Sequence, residues 1–379
     1  MSEEANYLLR TRRDKLAALR ERGIDPYPYR FSRTHTSLEA LALFAKAEGQ
    51  ATSPDRQAGH EDETGPEIRL AGRIMSWRGH GKTSFAHLQD VDGRIQVYFR
   101  KDVLDAEAFS NLALLDLGDW IGVEGTLFRT RTGEVTVRAR SWVLLAKSLR
   151  PLPLGKEEVD AETGERTVHS GLADTQNRYR HRYADLAVNP EARDRFLVRA
   201  RVVQALRRFL DARGYVEVET PVLQPLYGGA AARPFTTHHN ALDATLYLRI
   251  ADELYLKRLI VGGFERVYEI GKDFRNEGID RSHNPEFTML EFYQAFADYG
   301  EMMTVVEEML SEVAGEILGG RKTAVEGKEI DLTPPFRRVP FLEALGTRLG
   351  ADVLDIDDDT LRARAEGVSG ENLAGVGRG

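Results

Sequence analysis

Apolar residues recur along this chain with two different periods, and the change of period divides it. Within Tyr7–Arg22, Leu8, Leu9, Leu16 and Leu19 fall at helical spacing, and Gly23 supplies the residue type at which such a helix ends. Pro26 and Pro28 then punctuate the exit. From Glu67 the period shortens to about two: Ile68–Trp77, Ser84–Asp90, Arg94–Arg100, Trp120–Arg129 and Glu134–Leu144 read as five strands. Asp92-Gly93 and Thr132-Gly133 stand between neighbours as hairpin turns. A short helical stretch, Lys101–Leu115, separates the third strand from the fourth.

Past Leu186 the helical period returns. Asn189-Pro190 is a helix start, and Phe196, Ala200, Val203, Leu206 and Leu210 make the apolar stripe that follows it as far as Gly214. Tyr215–Thr220 alternates as a strand until Pro221. A strand (Ala244–Ile250), a helix (Asp252–Val261), two strands (Glu265–Glu277 and Glu286–Asp298) and a helix (Gly300–Leu318) complete the pattern. Strands paired around a connecting loop predict an antiparallel sheet, hence an α+β domain. The five earlier strands with their interposed helix fit an OB-fold, a small barrel that commonly binds oligonucleotides. Glu48–Pro66 has almost no apolar residue and reads as a loop or linker, as does the polar run Gly155–Glu165. The expected boundaries are therefore 1–66 (helical extension and linker), 67–150 (barrel), 151–189 (connector) and 190–379 (α+β domain).

Composition sharpens this only in places. A chain of 379 residues exceeds what a single core usually serves, which agrees with more than one domain. No run approaches the roughly 18 apolar residues of a membrane span, and Met1–Glu4 lacks the start of a secretory signal. The chain has no cysteine, which excludes disulfides, thiolate metal sites and a cysteine nucleophile. Cytoplasm is the default expectation, with no membrane partner. The formal net charge is −8, yet Glu67–Arg150 carries 13 Lys/Arg against 10 Asp/Glu. Arg10–Arg22 adds six basic residues against two acidic ones. A basic front on an acidic body suits contact with phosphate; solvated helix faces would give the same count.

The densest chemistry lies in Phe274–Tyr293, FRNEGIDRSHNPEFTMLEFY. Period-two geometry puts Arg275 and Glu277 on one face of the first strand, and Phe287, Met289, Glu291 and Tyr293 on one face of the second. An arginine, carboxylates, an aromatic ring and a phenol would then line one surface. Carboxylates held there need cationic partners, so an ion-paired sheet face and a binding site both remain open.

These residues carry a resemblance. Phe274-Arg275-Asn276-Glu277 followed by His283-Asn284-Pro285-Glu286-Phe287 resembles the second signature motif of class II aminoacyl-tRNA synthetases, and the whole run to Ala297-Asp298-Tyr299 is similar to the lysyl enzymes of that class. Tyr215–Pro221, YVEVETP, is similar to the first motif, an element of the dimer interface. Gly228–Phe235, His238–Asp243 and Glu253–Leu259 resemble the lysyl enzymes' segment between the motifs. The resemblance runs from the N-terminal helix to the last residue.

The resemblance implies ATP-dependent ligation of L-lysine to its tRNA through a lysyl-adenylate, with Mg²⁺ as cofactor and a homodimer as the assembly. Arg275 would be the catalytic residue, holding the α-phosphate of ATP and the lysine carboxylate, where a guanidinium suits paired anions. Glu277 would meet the adenine amino group, His283 the terminal phosphates, and Phe287 the adenine ring. Glu253 would bind the α-ammonium, Glu291 and Tyr293 would line the side-chain pocket, and Gly229 would let backbone approach closely. In the barrel, Phe85 and Gln96 resemble the pair that grips an anticodon base, by stacking and by hydrogen bonding respectively. Arg73 and His87 are further candidates on that face. Each has a plain alternative: Glu253 as an exposed first-turn residue, Gly228-Gly229 as an ordinary turn, Phe85 and Phe287 as core rings. His238 and His239 lack a third metal ligand at suitable spacing.

The family's third motif and its acidic magnesium segment have no counterpart before Gly379. The expectation is therefore a C-terminally truncated chain of low or no activity, whose magnesium ligands are unknown and would lie beyond its end. Three other readings stand beside it. A non-catalytic tRNA-binding or regulatory paralogue fits the missing motif. An aspartyl or asparaginyl enzyme conflicts with the acidic pocket. An enzyme that lysylates a protein factor would lack the barrel.

Overall fold

In the computed structural model, which describes residues 3–50, 65–159, 166–169, 171–350 and 352–377, the chain divides into two units, Met1–Asp194 and Arg195–Gly379. The first unit opens with helix α1 (Glu3–Glu21). Gly23, at φ +72°, ends it, and the Ile24 N–H donates back to the Leu19 carbonyl at 2.9 Å. Part of the basic stripe on α1 holds the helix down. Arg12 donates to the carbonyls of Ser148 and Leu117, Lys15 pairs with Asp116 at 2.7 Å, and Arg22 donates to Asn111. For these three residues the local, structural explanation of the charge run holds.

Helix α2 (Ser37–Gln50) has no counterpart in the periodicity, and it takes in the start of the expected linker. Residues 51–64 of that linker lie outside the described residues. The start of α2 does carry a signal, a reciprocal cap: the Thr36 N–H donates to Glu39 at 2.8 Å and the Glu39 N–H donates to Thr36 Oγ1 at 3.3 Å.

Strands β1 (Glu67–His80), β2 (Thr83–Gln89) and β3 (Arg94–Arg100) follow, close to their expected bounds. The expected helix after β3 is shorter, α3 (Ala106–Asn111) continued by one 3₁₀ turn. Strands β4 (Trp120–Arg129) and β5 (Val135–Ala146) then close a barrel in the order β1-β2-β3-β5-β4. Only β3 and β5 run parallel, pairing Gln96 with Thr136, and closure leaves no free sheet edge. Alternation sends Ala86, Leu88, Ile95, Val97, Val123 and Val137 into the core. Phe85, His87, Gln96 and Tyr98 take the other face.

A hairpin, β6 (Lys156–Val159) with β7 (Arg166–His169), occupies the flanks of the polar run; its residues 160–165 lie outside the described residues. Helices α4 (Thr175–Arg180) and α5 (Arg182–Val188) come next. In the Arg- and Tyr-rich stretch there, Arg178 and Arg182 both pair with the fully buried Asp185.

Helix α6 (Pro190–Ala212) starts at the expected proline. It leads to β8 (Val216–Glu217), β9 (Leu223–Gln224), β10 (Thr236–His239), β11 (Ala244–Leu248), α7 (Glu253–Val261), β12 (Arg266–Phe274), β13 (Glu286–Gln294) and α8 (Tyr299–Leu318). The hairpin β14 (Lys322–Val325) and β15 (Lys328–Asp331), then α9 (Phe341–Leu349) and α10 (Asp358–Ser369), complete the second unit. Its main sheet has the order β13-β12-β8, with β12 and β13 antiparallel over nine residue pairs and β8 parallel to β12 over two. The expected strand Tyr215–Thr220 is confined to those two residues, because the chain then leaves the ladder. Its Thr220 turns to bind Glu269 through N–H and hydroxyl.

One face of β12–β13 is apolar. Tyr268, Ile270, Leu290 and Phe292 pack there against Leu206, Phe209 and Leu210 of α6 and Val305 and Met309 of α8. The opposite face carries the acids Glu269, Asp273 and Glu291 and the Tyr293 phenol among Val267, Met289 and Phe287.

Candidate functional site

Strand register fixes what that face contains. Glu269, Gly271 and Asp273 alternate along β12 and lead to Arg275; across from them lie Glu291, Met289 and Phe287, with Tyr293 opposite Val267. The period-two expectation for Phe287, Met289, Glu291 and Tyr293 matches this register. The expected strand Glu265–Glu277 ends at Phe274, so Arg275 and Glu277 both lie beyond β12, at the start of the loop.

Arg275, Glu277, His283 and Phe287 line one cavity of about 640 Å³, together with Gly278, Ile279, Asp280, Ser282 and Asn284. The four residues expected around ATP thus share a single space. The Arg275 guanidinium lies 5.1 Å from the centre of the Phe287 ring, and its N–H groups face the Ile250 carbonyl at 3.5 Å. Asp280 organises the loop, accepting the N–H groups of Ser282 and His283 at 2.6 and 2.8 Å. Those main-chain donors, with the His283 ring at 2.7 Å, hold the Asp280 carboxyl below its usual range. With its Nδ1 on Asp280, the His283 ring lines the cavity. Phe287 is half-buried and lines the cavity, so it is not a sealed core ring.

The residues expected around lysine also come together. Glu253 opens α7 and pairs with Lys257 at 2.6 Å, an i,i+4 surface contact worth about 0.3–0.5 kcal/mol and therefore cheap to exchange for another ammonium. Gly229, at φ +90°, abuts Glu253: a Cβ there would lie 2.9 Å from the Glu253 Cβ and 3.1 Å from that of Ala251. Tyr293 donates to Glu291 at 3.2 Å, and the Asp252 N–H reaches the other Glu291 oxygen at 3.4 Å. Burial, with the nearby carboxylates of Glu291, Glu253 and Asp252, drives the Tyr293 phenol well above its usual value. It stays a donor.

Beneath Glu291 lies a group the sequence reading did not find. Arg249, 2% exposed, pairs with Glu269 at 2.6 Å, Asp252 at 2.9 Å and Asp273 at 3.3 Å. It also donates to the Lys272 carbonyl at 2.9 Å and to Thr220. Gly271 makes room for it, since a Cβ on that strand residue would collide with the guanidinium. Asp252 and Asp273 are fully buried, and none of their four carboxylate oxygens has a well-formed hydrogen bond. Burial first, then Asp273, pushes Asp252 up to about 8; burial raises Asp273 to about 6 against the pull of Arg249. Among the described residues, Asp252, Asp273 and Glu291 are the one group of acids close enough to share a metal ion, with oxygens within 4.8 Å of one another. Arg249 already fills that nest, and the two aspartates are sealed from water. A hydrated magnesium ion does not fit there. His238 and His239 are exposed, the first beside Asp243 at 3.4 Å and the second accepting the Leu242 N–H.

In the first unit, Phe85 and Gln96 line a cavity of about 380 Å³ with Ser76, Arg78, His87, Tyr98, Phe128 and neighbours from Thr130–Thr132. Phe85 stacks on Tyr98 with centroids 4.4 Å apart, on the face away from the core. Gln96 is held from both ends, donating to Glu134 at 2.7 Å and accepting from Thr136 at 2.9 Å. His87 bridges Ser76 and Glu134 at 2.8 Å each. Arg73 is placed elsewhere: it lies over the Trp120 ring at 5.1 Å and donates to Gly118.

Comparison with known proteins fits this geometry. Residues 68–145 match a family model described as an OB-fold nucleic acid binding domain, and residues 174–372 match one described as class II tRNA synthetases (D, K and N). The lysine–tRNA ligase of Pelotomaculum thermopropionicum is 49% identical over 375 residues, covering 99% of this chain and 67% of the relative. That of Carboxydothermus hydrogenoformans is 48% identical over 99% of this chain and 72% of the relative. That of Bacillus subtilis is 47% identical over 92% and 66%. With that identity over nearly its whole length, the chain belongs to the lysine–tRNA ligase family of class II tRNA synthetases.

Proposed function

We propose that this chain activates L-lysine with ATP and transfers it to its tRNA, and that Arg275 is the catalytic residue. The observation that carries the proposal is the convergence of Arg275, Glu277, His283 and Phe287 on one cavity, beside a face bearing Glu253, Glu291 and Tyr293. In the first step a lysine carboxylate oxygen attacks the α-phosphorus of ATP, and the bond to pyrophosphate breaks. Arg275 neutralises both anions as charge builds on phosphorus. The adenine would take the face of Phe287 with its amino group toward Glu277, and His283 would meet the leaving phosphates. Glu253 would exchange Lys257 for the substrate's α-ammonium across the gap that Gly229 leaves open. Glu291 and the Tyr293 phenol would receive the side-chain ammonium. In the second step a terminal ribose hydroxyl of tRNA attacks the acyl carbon and AMP leaves.

Magnesium, implied by ATP chemistry, finds no fitting ligand set among the described residues, and no step here runs through it. Phe85 and Gln96 would hold an anticodon base, making 67–150 the anticodon-binding domain and 190–379 the catalytic one, joined by a connector, 151–189, and preceded by the extension 1–66. A homodimer is supported by Leu197, Val198, Val216, Leu223 and Leu226, which are 41–71% exposed on and beyond α6. Among the described residues no helix is long and apolar enough to cross a membrane; cytoplasm is the proposed location.

The test is amino-acid-dependent ATP–pyrophosphate exchange, with calorimetric binding of lysine and ATP measured beside it. Lysine alone should bind, and lysine alone should support exchange in a chain carried to the length of its relatives, of which this one spans 67–72%. Exchange driven by aspartate or asparagine would refute the assignment of substrate.

A further inference from the structure

The nest under Glu291 holds more negative charge than it can keep. Asp252, Glu269, Asp273 and Glu291 face one guanidinium, Arg249, so full ionisation would leave three excess negative charges around a sealed core. Arg275, Glu253 and Tyr293 are the other charged or titratable groups near enough to be felt by the nest, from the end of β12, from α7 and from β13. Asp252 and Asp273 have no exposed surface, and their oxygens have no well-formed hydrogen bond with any other group. Buried carboxylates that must share a single guanidinium with a third acid are costly, and two of them within a few ångströms relieve the cost by keeping one proton between them.

Resting on the lysine reading above, we propose that Asp252 and Asp273 are positioning residues that exchange a shared proton for the substrate's side-chain ammonium. With the proton in place the nest carries two excess negative charges. When an ammonium settles on Glu291 the proton leaves, and the total is again two. The buried charge is thus the same with and without ligand, and Glu291, anchored by the Asp252 N–H, is held in place to meet the cation. An uncharged or acidic side chain at that place gives the pair no reason to release its proton. The nest therefore favours a cationic amino acid over others of similar size. Burial pushes both carboxyls above the ordinary carboxylate range, so the pair holds its proton toward neutral pH, where the exchange operates.

Calorimetry of L-lysine binding to the full chain, run near pH 7 in buffers of small and large ionisation heat, reads the proton directly. Lysine's own ammonium groups stay charged at that pH, so a released proton comes from the protein. The expected result is release of a substantial fraction of one proton per lysine bound. It should fall several-fold in Asp252→Asn and in Asp273→Asn, while both variants keep their fold by circular dichroism. A buffer-independent heat in the parent chain, or a slope unchanged in both variants, overturns the exchange and leaves the lysine assignment standing. No lysine binding at all refutes both. A magnesium salt alone releasing the same proton would show a divalent-ion site instead, and would equally overturn the proposal.

Discussion

Replacing Arg249 by methionine tests the electrostatics of the second unit most directly. The guanidinium is 2% exposed and lies 2.6 Å from Glu269, 2.9 Å from Asp252 and 3.3 Å from Asp273, three carboxylates none of which has another cation within pairing distance among the described residues. Removing one partner of a buried pair costs about 3–5 kcal/mol, mostly because the other charge is left uncompensated. Here one cation serves three acids, so the upper part of that range is expected, softened by protonation of Asp252 and Asp273. The chain supplies its own control. Trp77, Trp120 and Trp142 are its only tryptophans, and all lie in the first unit. Urea unfolding followed by tryptophan fluorescence therefore reports the barrel unit, whereas far-UV circular dichroism reports both. Arg249→Met should lower the midpoint of the second unit's transition by roughly 1–3 M at ordinary urea slopes and leave the fluorescence transition in place. The deficit should shrink on acidification below about pH 6, as the orphaned acids take up protons. Gly271→Ala should reproduce part of the effect, about 1–3 kcal/mol, by pushing the guanidinium off its seat. A loss under about 1 kcal/mol for Arg249→Met, or equal shifts by both probes, would refute this account of the nest.

Arg275→Ala should lower lysine-dependent pyrophosphate exchange by about 10²–10³-fold, as loss of a transition-state charge partner does; an unchanged rate removes Arg275 from catalysis. Phe85→Ala should weaken tRNA binding by about 1–3 kcal/mol in a filter or calorimetric assay without altering pyrophosphate exchange. If both fall together, the ring is a structural member of the barrel. Asp252 has a folded-state pKa above its unfolded value, so its stabilising contribution is complete in acid and is lost as pH climbs toward about 8. Urea midpoints of the second unit should therefore fall between pH 5 and 9 in the parent chain and fall less steeply in Asp252→Asn. Parallel profiles would show that Asp252 titrates normally.

The barrel was legible because each of its strands is a local statement: alternation over seven to fourteen residues, punctuated by Asp92-Gly93 and Thr132-Gly133. The centre of the candidate site was legible for the same reason, since Phe287, Glu291 and Tyr293 take their side of β13 from a period of two. Helix α2 escaped because its stripe is short, although Thr36 and Glu39 announce its first turn. The role of Arg73 was misplaced by assigning it to a face from spacing alone. A register shift in β1 between Ile74 and Ser76 changes which of its residues line the cavity, bringing Ser76 and Arg78 to it.

The nest was illegible for a different reason. Glu269 and Asp273 continue the alternation of Arg275 backwards along β12, so their side of the sheet could have been read. What no local pattern gives is the charge that makes their burial tolerable. Arg249 reaches them from the end of β11, twenty residues before Glu269, and the only trace it leaves on β12 is the absence of a side chain at Gly271. A glycine in the middle of a strand weakens the strand and fills no space. Flanked at i−2 and i+2 by acids on the same face, it marks the place where a long cation must cross. Where such a crossing leaves the acids in excess, as it does around Asp252 and Asp273, the remaining charge has to be met by a proton or by a ligand. A face built this way is suited to a substrate that arrives carrying its own positive charge.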